Sequence, residues 1–85
     1  MDKFPSLRRW SPILEELNKK PDRFLDFNTL YQNTKLVAPT LTRRIGELAA
    51  VGYVDRKGVS SKITETGQRV FAVYKQLMAL MGQIP

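Results

Sequence analysis

Residues 39–56 read PTLTRRIGELAAVGYVDR, and the fold turns on how they are divided. Leu41, Ile45 and Leu48 recur at i, i+4 and i+7, the stripe of a helix that buries one side. Pro39 suits the first helical position, where a missing N–H costs nothing, and Gly52 suits the residue just past a helix end. At ~100° per residue, Pro39, Thr40, Arg43, Gly46, Glu47 and Ala50 point away from the stripe, while Thr42 and Arg44 flank it. The run from 53 to 56 then reads as a short strand, and Ser61-Lys62-Ile63 as its partner across a turn at 57–60.

Working outward, Leu7, Trp10, Ile13, Leu14 and Leu17 predict a first helix over 6–19. Ser6 would cap it and Pro21 would end it, or it starts at Ser11 with Pro12 in its first turn. Residues 24–27 read as an extended piece leading into a short second helix capped by Asn28. Thr64 caps a last helix over 65–81, with Gly67 in its first turn. That helix carries Val70, Val73, Tyr74, Leu77 and Met81 on one face, widened by Phe71, Met78 and Leu80. So broad an apolar face predicts a partner, most simply a second copy of the chain, with Phe71, Tyr74, Met78 and Met81 at the seam. The expected fold is mainly α with a small β-hairpin: a winged helix-turn-helix in the order helix, helix, helix, hairpin, helix, as one domain over 1–85.

Eighty-five residues carry a formal charge of +6 with no Cys and no His. Disulfides, thiol chemistry, the usual zinc ligand sets and the commonest general base are therefore excluded. We expect no enzyme, metal or cofactor. Ser61 and Lys62 are adjacent and lie on opposite faces of a strand, which rules out a Ser–Lys dyad. Glu15 and Glu16 likewise diverge around a helix. No run approaches the ~20 apolar residues of a membrane span, and no signal peptide is read at the amino terminus, so a cytoplasmic, nucleoid-associated location is expected. Between residues 35 and 62 there are six basic and two acidic residues, which places +4 of the +6 around the quoted stretch. A polyanionic partner fits that concentration.

A helix fits the major groove of DNA, its outward residues near the N-terminus reach base edges, and a hairpin adds phosphate contacts. Arg43 is the outward arginine, for a guanine edge or a phosphate. Thr40 and Thr42 offer hydroxyls to phosphate or base. Arg44 either meets phosphate or pairs with an acid such as Glu47. Lys57 and Lys62 flank the hairpin for backbone contacts, and Lys35, Pro39 and Arg56 complete the expected DNA-binding set. Two rivals stand beside this reading: a protein-interaction winged helix, and a sequence-neutral architectural DNA-binding protein.

FNTL (27–30), VAPTLTRRIGEL (37–48), VGYVDR (51–56) and ITETG (63–67) together resemble winged-helix transcription regulators of the MarR/PadR/HxlR kind. The HxlR type is nearest, since Trp10 and Ile13-Leu14 resemble its opening motif. The resemblance covers roughly residues 10–70. It implies a homodimer on pseudo-palindromic double-stranded DNA, paired through terminal helices, with Thr40, Thr42, Arg43 and Arg44 on the recognition helix. Three departures stand out. Asp26 occupies the place before Phe27 where the family often has Arg, the redox Cys of some members is missing, and the hairpin between Arg56 and Ile63 is short for deep minor-groove contact by the wing.

Overall fold

A computed structural model describes residues 3–82 of the chain, with side chains from residue 7. The elements are α1 (Lys3–Asn18), β1 (Leu25–Asp26), α2 (Phe27–Thr34), α3 (Ala38–Ala50), β2 (Val54–Lys57), β3 (Ser60–Ile63) and α4 (Glu65–Gly82). The architecture is α+β: four helices and a small antiparallel sheet in the order β1-β3-β2.

The core is built from the stripes that the periodicity marks. Trp10, Ile13, Leu14 and Leu17 of α1 meet Leu30 of α2, Leu41, Ile45 and Leu48 of α3, Val54 and Ile63 of the sheet, and Phe71 and Tyr74 of α4. Trp10 stands edge-on to Tyr53, with ring centroids 6.0 Å apart. Its Nε1–H donates to Glu47 Oε1 at 2.9 Å, so the indole's polar atom is satisfied where the ring is buried.

The first helix differs from expectation at its start. Helix geometry is already present at Lys3, so the alternative start at Ser11 does not hold, and Pro12 lies inside the helix as the longer reading has it. Proline removes the N–H that would reach the Arg8 carbonyl four residues back. The Ser11 hydroxyl donates to that carbonyl instead, at 2.9 Å, which keeps the acceptor paired.

The second helix also begins earlier than expected. Its N-cap is Asp26, not Asn28: the Asp26 carboxylate accepts the Thr29 N–H at 2.8 Å. The extended piece before it is real, but it is a third strand, which makes the sheet larger than a simple hairpin. Leu25 pairs with Ser61 and Asp26 with Ser60.

Two joints fix how the helices follow one another. Helix α2 stops at Lys35, whose left-handed backbone (φ 61°) lets its N–H reach the Tyr31 carbonyl. Three residues later α3 has begun. Its far end is a Schellman turn, in which Gly52 (φ 82°) donates to Ala49 and Tyr53 donates to Leu48. Thr64 then locks the return of the hairpin. Its N–H donates to the Tyr53 carbonyl, its hydroxyl donates to the Gly52 carbonyl at 2.7 Å and accepts the Gly67 N–H at 3.0 Å. The expected cap at Thr64 is thus found.

Candidate nucleic-acid interface

The segment Lys35-Leu36-Val37 joins α2 to α3 as a three-residue turn. Leu36 packs against the core, and Lys35 and Val37 are exposed. Val37 is the N-cap of α3 and has no side chain able to accept a hydrogen bond; Pro39 falls in the first turn. The first N–H groups of α3, on Ala38 and Thr40, are therefore left without a capping side chain. The positive end of the helix opens toward solvent.

The charged residues of α3 have different fates. Glu47 is engaged with Trp10. Arg44 is half-buried, and its Nη1 donates to the Arg9 carbonyl at 3.2 Å, so it ties α3 to α1 rather than pairing with Glu47. Its guanidinium is thus directed toward α1. Arg43 is exposed and makes no hydrogen bond or ion pair among the described residues. Pro39 and Thr42 are exposed with it, and Thr40 is half-buried.

The hairpin divides its cations between two faces. Paired residues of an antiparallel ladder share a face, and faces alternate along the strand. The register Val54–Ile63, Asp55–Lys62, Arg56–Ser61, Lys57–Ser60 therefore puts Arg56 and Ser61 on the side of the core and Lys57 and Lys62 on the other. The turn is the two residues Gly58-Val59, shorter than the expected 57–60, with Gly58 at φ 61° as a glycine-first hairpin turn requires. Arg56, Lys57 and Lys62 thus do not act on one surface. Lys57 and Lys62 flank the exposed Phe24 ring, with Nζ atoms 6.0 and 5.7 Å from its centroid. Arg56 instead borders a groove of about 240 Å³ between α3 and the hairpin, lined also by Phe27, Thr42, Ile45, Gly58, Val59 and Ser61.

The residues expected at a dimer seam are redistributed as well. Phe71 and Tyr74 are buried in the chain's own core, and the half-buried Met78 packs against it, so these three turn mainly inward. Met81 is exposed. The open apolar row is the neighbouring one: Val73 (64% exposed), Leu77 and Leu80 (61%), with the half-buried Val70 a turn before. Leu7 of α1 joins Val70, Val73, Tyr74 and Leu77 in lining a shallow hollow there.

Among the described residues, Asp26 is the carboxylate held by a backbone donor. The Thr29 N–H that it accepts holds its pKa below the ordinary aspartate value. The acid that stands before Phe27 is therefore a helix cap. Among the described residues no cluster of His, Cys, Asp or Glu could hold a metal ion, and no helix is long and apolar enough to cross a membrane. Comparison with protein-family models, curated sequences and solved structures returned no match.

Ser61 and Phe24 are outside the expected DNA-binding set, and Val70, Val73, Leu77 and Leu80, though read as part of the apolar face of the last helix, are outside the expected seam. Residues 70, 73, 77 and 80 alternate steps of three and four, which is a legible signal. Residues 71, 74, 78 and 81 do the same one position on, and only the packing distinguishes the two rows. Ser61 and Phe24 carry no such signal.

Proposed function

We propose that the chain is a winged helix-turn-helix protein that binds double-stranded DNA, with α3 in the major groove and the β2–β3 hairpin as its wing, and that it regulates transcription by occupying an operator. One observation carries this reading: of the charged side chains on α3, Glu47 and Arg44 are held by α1, and Arg43 alone is exposed and unpaired beside Thr42 and Pro39. An unpaired arginine on the outward face of a helix suits bidentate recognition of guanine or a phosphate contact. The uncapped start of α3 adds N–H donors for a phosphate, and the local excess of positive charge adds non-specific attraction. Catalysis has no part in this reading, and the cytoplasm is where such a protein acts.

The same reading takes the protein as a homodimer joined by α4 along Val70, Val73, Leu77 and Leu80. This row has the 3-4 spacing of a coiled-coil seam. Its flanks within the described helix are Arg69, Tyr74, Gln76 and Met81, so few like charges oppose the pairing of two copies of a +6 chain.

Titration of labelled duplex DNA at low and moderate salt tests the reading, and binding that does not weaken with salt, or no binding at all, refutes it. Selection from a random pool then separates an operator-reading protein from a sequence-neutral one. On a selected site Arg43→Ala is expected to cost about 1–3 kcal/mol. An equal loss on random DNA would make Arg43 a phosphate contact only.

A further inference from the structure

We propose that the groove between α3 and the hairpin is a seat for one backbone phosphodiester of the bound duplex, with Ser61 as its inner hydrogen-bond donor. This inference rests on the DNA-binding reading and places a contact within it. Ser61 is 3% exposed, and it is the one buried polar residue in the described core. Its hydroxyl has no hydrogen-bond partner among the described residues. Yet no wholly enclosed side-chain polar atom lacks a partner there, so the Ser61 hydroxyl keeps its access through the groove that it lines. A hydroxyl set among apolar side chains and open only on the groove side can find a hydrogen-bond partner only there. Of its inner-face neighbours Leu25, Val54 and Ile63 are apolar, and the remaining one is Arg56.

The surroundings state what the missing partner is. Arg56 shares the sheet face with Ser61 as its cross-strand neighbour and brings the positive charge, and Thr42 brings a second hydroxyl from α3. No acidic residue lines the groove. One guanidinium and two hydroxyls suit an oxyanion. The volume, about 240 Å³, is below that of ordinary small-molecule pockets and admits a phosphate with part of its sugar. The apolar floor of Phe27 and Ile45 suits the deoxyribose. Seated there, a phosphate would register the duplex against α3 without reading a base.

The test compares wild type, Ser61→Ala and Arg56→Ala. Each is measured for affinity to a duplex as a function of salt, and by thermal melting with and without inorganic phosphate. Removing one hydrogen bond to a charged group predicts a roughly tenfold loss of DNA affinity in Ser61→Ala, equal on specific and random sequences. The melting temperature without ligand is expected to be unchanged or raised, because an unpartnered hydroxyl has been removed. Arg56→Ala is expected to lower the salt slope by about one counterion. If wild type binds DNA and Ser61→Ala binds it equally well, the seat is overturned while the DNA-binding reading stands. If wild type binds no DNA but phosphate raises its melting temperature and not that of Ser61→Ala, the DNA reading falls and an oxyanion site remains. If neither ligand acts on wild type, both fall.

Discussion

Adding a single methyl group at Gly67 is expected to unfold this protein at a markedly lower temperature. Gly67 is buried in the first turn of α4, and a Cβ built there overlaps the Tyr53 carbonyl oxygen and lies 2.9 Å from Ile63 Cγ1. Neither neighbour is free to retreat. Tyr53 donates to Leu48 and accepts from Thr64, both at 3.0 Å, and Ile63 is fully buried. The first turn of α4 must therefore lift off the joint. Overpacking of this kind costs ~1–3 kcal/mol, and the upper end applies because a backbone atom is in the way. Alanine's better helix propensity returns up to ~1 kcal/mol, which leaves a net loss of about 2 kcal/mol. For a domain of this size that is a fall in melting temperature of roughly 8–16 °C. The assay is thermal melting by far-UV circular dichroism, with Gly46→Ala alongside. Gly46 lies inside α3 with nothing within 4 Å of its Cβ position, so there the propensity gain acts alone and stability rises by ~0.5–1 kcal/mol. If Gly67→Ala melts at or above wild type, the close approach of α4 to Tyr53 is wrong.

Other expectations follow from single residues. Lys35→Gly relieves a left-handed lysine and is expected to stabilise the fold by up to about 1 kcal/mol while weakening DNA binding, a split that melting and duplex titration report together. Unchanged affinity would remove Lys35 from the contact set. Asp26→Ala is expected to melt below wild type at neutral pH. The folded pKa of Asp26 is depressed, so its contribution is present above the ordinary aspartate pKa of ~4 and is lost as pH falls through the folded value. The gap between the two melting curves should close in acid, whereas a constant gap would mean that the carboxylate charge plays no part. Val73→Glu is expected to leave the monomer's fold intact and abolish self-association in sedimentation equilibrium. A wild type that is monomeric at every concentration would instead leave the α4 row unpaired.

Helix α3 was the most legible element, because its evidence is local. Leu41, Ile45 and Leu48 are all buried, and Gly52 ends the helix with the backbone that glycine allows. The start of α4 at Thr64 was legible for the same reason. What the residues could not announce depends on pairing across distance. Strand β1 is two residues long, too short for any periodicity, and exists because Ser60 and Ser61 pair with it. Arg56 shares the face of Val54 and Ser61 and is separated from Lys57 and Lys62 by the alternation of the strands, which counting basic residues along the sequence does not show. Helix α4 offers two apolar rows one residue apart, and its seating at Gly67 turns Phe71 and Tyr74 inward. In the candidate site, the exposure of Arg43 followed from its angle on the helix. The tether of Arg44 to the Arg9 carbonyl did not, since that acceptor lies 35 residues away.

Thr64 has a consequence beyond capping. Its N–H and hydroxyl close the chain onto Tyr53 and Gly52, the residues from which the hairpin departs. The excursion through β2 and β3 is thereby pinched shut at its root, and the union of α3 with α4 bypasses it. Residues added at Gly58-Val59 would lengthen the blade without tilting one helix against the other. Reach and frame can then vary independently, so the tip of the hairpin is the natural place to graft new sequence onto this scaffold.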